Sequence, residues 1–364
     1  MPATHIREPA LIIRVGAEAR ERIRMRGLPA SDVSVLPGAA GGPKGIGIVG
    51  LDRAIFGDFL ARSPRPRTLI GASIGSWRFA AVAAGGRNPQ RIVANLERLA
   101  DLYTRQRFPR GIDAAGVSRS CMTMLTELLG DSGQAIIDNP DYRLVVAMDR
   151  SRGLITSDRP GLLTLGLAAL VAGNLLSRRL LRLFMQRALV CPGEAPLPLA
   201  PLKDFTTHQV KLDTDNLYAA LMASASIPLV LEGVRDIPGA PPGIYRDGGL
   251  LDYHLDLPYD TDGTVLYPHF TDRVIPGWFD KPLRWRRASA HHLRRAVLVS
   301  PSPAYLARLP HGKLPDRSDF QRYRGDNAGR ERYWRQAIAE SERLGDEFLE
   351  LMEKDRLIES IVDL

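Results

Sequence analysis

Hydrophobic positions change their period repeatedly between residues 33 and 85, and the changes mark two strand–loop–helix units in succession. Val33-Ser34-Val35-Leu36 is a short apolar run ending at Pro37-Gly38, as a buried strand does, and it opens onto a glycine-rich stretch reaching Gly45. Over residues 46–60 the apolar side chains Ile48, Leu51, Ile55 and Phe59 recur at helical spacing, so a helix follows. After a turn at Ser63 to Pro66, Thr68-Leu69-Ile70 forms a second short strand that ends at Gly71-Ala72-Ser73-Ile74-Gly75. An alanine-rich helix carrying Trp77 and Phe79 then runs to Gly85. Two such units in a row are the signature of a parallel sheet covered by helices.

The remaining pattern extends that plan. Residues 88–108 are amphipathic with a proline near the start and predict a helix, and residues 122–129 continue the helical layer. Strands are expected at 142–148, 209–212, 243–246, 265–269 and 296–300. Residues 160–177 are uncharged and rich in Leu, Ala and Gly, and a basic amphipathic run follows at 177–190. Residues 328–357 place Trp334, Ile338, Leu344, Phe348 and Met352 on one face of a long terminal helix. The expected organisation is an N-terminal extension over 1–30 and one α/β domain over 31–320. That domain carries an apolar and basic insertion at about 158–192, and a C-terminal helix at 326–360 packs on it.

Composition narrows the class. With 45% hydrophobic and 25% charged residues in 364, the chain is neither disordered nor fibrous. Cys121 and Cys191 match no metal spacing and cannot form a disulfide framework, so a reducing, cytoplasmic setting is expected. The first thirty residues contain no continuous apolar stretch of the kind a secretory signal needs. The net charge of +8 comes from scattered arginines without a nucleic-acid motif. No nucleic acid is expected as a partner, and peripheral contact with an anionic membrane is the favoured reason for the charge.

Three local motifs carry chemistry. Gly71-Ala72-Ser73-Ile74-Gly75 fits the G-x-S-x-G nucleophile elbow, in which small residues let a strand turn sharply into a helix with the serine at the apex. Taken alone, the pentapeptide also fits an ordinary tight turn. Gly41-Gly42-Pro43-Lys44-Gly45, also between strand and helix, offers backbone N–H groups to an oxyanion. Because Pro43 has no N–H, the donors would be Gly41 and Gly42, with Ile74 of the elbow. A phosphate-binding P-loop is excluded because Gly45 stands where Ser or Thr must follow the lysine, and Ala40 breaks a dinucleotide fingerprint. Finally, Asp247-Gly248-Gly249 follows an expected strand, where Asp247 would supply the base a serine hydroxyl needs.

From Val33 to about Pro258 the chain resembles the patatin-like phospholipase family, whose glycine-rich oxyanion loop, G-x-S-x-G elbow and Asp-Gly-Gly motif occur here in the family's order. The segment Ala223-Ser224-Ala225-Ser226-Ile227-Pro228 is similar to the family's Ala-Ser-rich helix ending at a proline. Ala40 departs from the usual first glycine, and the asparagine often found after Asp-Gly-Gly is absent from Leu250 to Pro258. The resemblance implies a three-layer α/β/α fold with a mostly parallel central sheet. It further implies lipid acyl-ester hydrolysis through a dyad of Ser73 and Asp247, without metal or cofactor. Gly71, Gly75, Lys44, Gly45, Gly248 and Gly249 would support the motifs, with Lys44 bracing the loop.

Two alternatives stand beside that expectation. Five histidines follow Asp247, so a Ser-His-Asp triad is open, although none lies in a catalytic context; a catalytically inactive lipid-binding protein is the alternative outside enzymology. Residues 160–177 are read as a buried core helix, a lid or an interfacial element.

Overall fold

A computed structural model describes residues 8–193, 196–353 and 356–364. Among the described residues eleven strands form one sheet: β1 (Leu11–Val15), β2 (Val33–Gly38), β3 (Arg67–Ala72), β4 (Tyr142–Ser151), β5 (Met185–Cys191), β6 (Thr207–Lys211), β7 (Val234–Arg235), β8 (Ile244–Asp247), β9 (Thr264–Pro268), β10 (Ala296–Pro301) and β11 (Ile361–Asp363). The main path runs β11-β1-β10-β9-β2-β3-β4-β5-β6, with β8 added antiparallel to the far half of β4 and β7 paired to β8. From β10 to β4 every neighbour is parallel, as the two strand–loop–helix units require. Helices cover both faces, giving the three-layer α/β/α fold. Strands β2 and β3 are almost wholly buried, which is why they read as continuous apolar runs.

The glycine-rich loop leads from β2 into a 3-10 turn (Gly42–Ile48) and a short helix (Val49–Ala54), which opens into a π turn (Ile55–Phe59). The elbow after β3 leads into the helix Ile74–Ala84, every residue of which is buried. Its Arg78 donates to Asp52 of the preceding unit through Nε at 2.7 Å and Nη2 at 2.5 Å, and both side chains are essentially inaccessible. That buried fork locks the two helices side by side.

Several expectations are corrected. Within the expected extension 1–30, the described residues Leu11–Val15 form β1, which pairs antiparallel with β10 and parallel with β11 at one edge of the sheet. Its five residues were too few to show a period among the surrounding charges. The terminal helix is two helices, Asn327–Glu340 and Glu342–Glu353. They break at Ser341, whose Oγ accepts the Gly50 N–H at 2.9 Å; any side chain at Gly50 would collide with the Ser341 carbonyl. The basic run 177–190 is split between a 3-10 turn (Arg178–Leu183) and β5. Arg187 enters the sheet because Asp252 (Nε, 2.6 Å) and Asp204 (Nη2, 2.8 Å) neutralise it in the interior.

The helix Pro160–Leu176 is not a core helix. Leu163, Gly166, Leu170 and Asn174 face inward, while Leu162, Leu165, Leu175 and Leu176 are exposed. The inward face joins Ile155, Leu181, Met185, Phe205, Leu250, Leu251 and Phe279 in a second small core, separate from the main one and adjoining the Asp247 loop. Asn174 is buried because its amide donates to Asp280 and accepts from Arg286, each at 2.9 Å. Among the described residues no helix is long and apolar enough to cross a membrane.

Candidate active site

Strand β3 delivers Ser73 to the top of the sheet in a backbone conformation, φ 56° and ψ −129°, that non-glycine residues rarely adopt. The flanking glycines explain the motif's spacing. A Cβ at Gly71 would lie 2.5 Å from the backbone of Ser76, and one at Gly75 would lie 1.9 Å from the Gly38 carbonyl of β2. Only glycines let the turn close that tightly against its own helix and the neighbouring strand. The helix begins at Ile74, so its first N–H groups and the positive end of its dipole face the serine.

Asp247 arrives from the end of β8. Ser73 Oγ donates to Asp247 Oδ2 at 2.8 Å, and the Gly249 N–H donates to Oδ1 at 2.8 Å. Both residues of the pair are buried, Ser73 at 2% and Asp247 at 5% exposure. Burial raises the Asp247 carboxyl above the usual aspartate range; Arg317, the Gly249 N–H and the Ser73 hydroxyl pull the other way. The Asp-Gly-Gly loop is fixed from beneath. Leu251 N–H donates to Asp149 Oδ2 at 2.9 Å, and Arg187 holds Asp252. Gly248 lies against the Ala147 carbonyl of β4, where a side chain has no room.

The glycine-rich loop packs beside the pair. Ala40 N–H is committed to the Tyr253 carbonyl at 2.9 Å, so the Ala40 departure removes no free donor. Gly41 faces the Phe270 ring too closely for a Cβ, and Gly42 has φ 56°. Neither their N–H groups nor that of Ile74 find an acceptor among the described residues. Gly45 packs on the Ile74 side chain. Lys44, expected to brace the loop, faces the cavity, with its ammonium 5.6 Å from the centre of the Phe270 ring.

Two cavities meet at Ser73. The larger, about 500 Å³, includes Gly41, Lys44, Asp247, Tyr253, Trp278, Lys281 and Arg317, with Leu167 and Val171 from the exposed helix. The smaller, about 340 Å³, is lined mainly by apolar side chains such as Trp77, Val117, Leu231 and Phe320, with Gly42 and Ile74 on its rim. Ser73, Ile227 and Arg317 border both. Lys281 and Arg317 escaped the sequence reading because no local motif surrounds them.

Among the described residues no histidine lines either cavity. His254 and His269 are buried against each other, with burial holding both well below the ordinary imidazole range, His269 at about 3. His292 pairs with Asp256 and His311 with Tyr323. No group of three or more His, Cys, Asp or Glu suited to a metal occurs among the described residues.

A family model described as patatin-like phospholipase matches residues 39–255, a span that holds the glycine-rich loop, the elbow and the Asp-Gly-Gly loop. No curated protein and no solved structure matches the chain.

Proposed function

The chain belongs to the patatin-like phospholipase family, and from that premise we propose that it cleaves lipid carboxylic esters through an acyl-enzyme on Ser73, with Asp247 as base. The observation that carries this reading is the 2.8 Å bond from Ser73 Oγ to Asp247 Oδ2, at a positive-φ elbow where two cavities meet. Ser73 Oγ attacks the ester carbonyl carbon as its proton passes to Asp247 Oδ2. The carbonyl oxygen becomes an oxyanion that accepts from the N–H groups of Gly41, Gly42 and Ile74. Collapse breaks the carbonyl–alkoxide bond, and the alcohol leaves with the proton from Asp247. A water molecule then gives one proton to Asp247 and attacks the acyl carbonyl, and collapse breaks the bond to Ser73 Oγ, which takes the proton back from Asp247 as the acid leaves. That no histidine among the described residues lines either cavity supports a dyad over a triad.

The exposed helix Pro160–Leu176 supports a second element of the reading, peripheral docking on an anionic bilayer. Its outer face presents Leu165 at 59% and Leu176 at 83% exposure, Leu183 follows at 62%, and the exposed Arg179 and Arg182 lie between, while Arg178 turns inward to the Leu251 carbonyl and Asp252. Apolar side chains flanked by arginines suit the boundary between acyl chains and anionic headgroups. Leu167 and Val171 of the same helix line the larger cavity, so docking would bring the lipid phase to its mouth. Cys121 and Cys191 are both buried and unpaired, which suits work in the reducing cytoplasm.

A fluorophosphonate probe tests the chemistry, because covalent labelling demands an activated serine. Wild type should label stoichiometrically and folded Ser73→Ala should not. Labelling that survives in Ser73→Ala would contradict the assignment, and an unreactive wild type would favour a lipid-binding protein.

A further inference from the structure

Three of the buried arginines have carboxylate partners, while Arg67 and Arg330 donate to backbone carbonyls. Arg78 has Asp52, Arg187 has Asp252 and Asp204, and Arg246 has Asp158. The larger cavity gathers cations that have neither kind of partner. Lys44, Lys281 and Arg317 all line it, and among the described residues none of the three has an ion pair or a side-chain hydrogen bond. Aromatic rings hold the two lysines instead: Lys44 stands over Phe270, and Lys281 lies 4.1 Å from the centre of Tyr253 and 5.2 Å from that of Trp278. Arg317 reaches across the oxyanion loop, where a Cβ on Gly42 would meet its Nε at 3.0 Å. The nearby carboxylates are committed. Asp247 accepts from Ser73 and Gly249, and Asp316 is paired with Lys313 at 2.8 Å.

Lys44 and Lys281 are half-buried and Arg317 is exposed, and three like charges lining one cavity are unfavourable unless something anionic joins them. Burial, with Lys44 and Arg317 adding to it, brings Lys281 down to about 7, and burial also lowers Lys44. An anion in the cavity relieves all three at once.

We propose that Lys44, Lys281 and Arg317 form a cradle for phosphate, selecting acyl esters whose alcohol part carries a net negative phosphate over neutral glycerides and zwitterionic choline esters. The inference rests on the acyl-hydrolase reading of Ser73. The scissile ester sits at the junction of the cavities, the phosphate lies among the cations, and the acyl chain enters the apolar cavity beside Trp77 and Phe320. Lys281 and Arg317 lie beyond residue 255, so two of the three cations come from outside the span the family model matches, and only Lys44 belongs to its motifs.

The test compares kcat/KM for three decanoyl esters below their micellar concentrations: monodecanoylglycerol, its 3-phosphate, and decanoyl-glycerophosphocholine. Wild type should prefer the phosphate ester over the neutral one by about tenfold or more, the scale of a charge-assisted hydrogen bond. In Lys281→Met and in Arg317→Gln, each checked for folding by thermal melting, that ratio should fall about tenfold. A wild-type ratio near one, or a ratio unchanged in both variants, overturns the cradle and leaves the acyl-hydrolase reading standing. Turnover of none of the esters, with no phosphonate labelling of Ser73, overturns both. Inorganic phosphate separates a headgroup from a free ion. Micromolar inhibition of neutral-ester turnover by phosphate, without any preference among the esters, would assign the cations to a free anion and overturn the proposal.

Discussion

Ser224 Oγ accepts the backbone N–H of Ser73 at 2.9 Å and donates to the Ala147 carbonyl of β4 at 2.6 Å. One hydroxyl thereby ties the strained elbow to the strand beside it, and Ser76 Oγ also reaches it at 3.2 Å. This gives the Ala-Ser-rich helix (Leu217–Ala225) a physical purpose: its residues are small enough to approach the elbow, and a serine satisfies the one N–H that the positive φ of Ser73 turns away from the sheet.

Ser224→Ala therefore leaves the buried Ser73 N–H without its acceptor and removes one donor from the Ala147 carbonyl. We expect a loss of about 1–3 kcal/mol in stability, the usual cost of a buried unsatisfied group. Chemical denaturation checks it, and the labelling rate of Ser73 should fall in parallel as the elbow loosens.

Asp247→Asn should separate stability from activity. Burial raises the Asp247 carboxyl, so the native state binds its proton more tightly than the unfolded chain does. Ionised Asp247 therefore costs the native state stability as pH rises through the raised value, and the neutral amide avoids that cost. At pH 7 the variant should melt no lower than wild type while losing ester turnover. In wild type, kcat/KM should fall with decreasing pH through a single ionisation above the ordinary aspartate value of about 3.9.

Lys281 should impose the opposite dependence on selectivity. It faces Lys44, Arg317 and Asp247, with the rings of Tyr253 and Trp278 against its ammonium and His254 behind them. In the free protein it loses its proton near pH 7, so the phosphate-to-neutral ratio of kcat/KM should decline as pH rises past about 7. The ratio in Lys281→Met should be flat there. The unfolded chain keeps this proton to a higher pH, so charged Lys281 costs native stability below the unfolded value, most of all below about 7. Lys281→Met should melt at or above the wild-type temperature at pH 6.

Leu165→Glu and Leu176→Glu place carboxylates on the exposed face of the helix Pro160–Leu176 without touching its buried side. Each should weaken sedimentation with phosphatidylglycerol vesicles by about tenfold or more while leaving turnover of a monomeric ester intact. Unchanged vesicle binding in both would remove this face from the account.

Much of this architecture is legible in the sequence because it is local. Strands β2 and β3 are apolar runs cut off by glycine, and the residues that build the elbow, the glycine loop and the Asp-Gly-Gly turn are neighbours along the chain. What escapes depends on partners far away. Strand β5 hides among arginines because Asp204 and Asp252, which bury Arg187, are 17 and 65 residues distant. Strand β1 gains its register only from β10 and β11 at the other end of the chain. Lys281 and Arg317 carry no surrounding motif and acquire meaning only when the C-terminal segment folds over the cavity.

The central claim is tested most directly by hydrolysis of a short-chain p-nitrophenyl ester by wild type, Ser73→Ala and Asp247→Asn, each verified as folded. Turnover by wild type that falls to background in both variants is the predicted result. Turnover that survives in folded Ser73→Ala, or that is unaffected by Asp247→Asn, would contradict a dyad in which Asp247 activates Ser73.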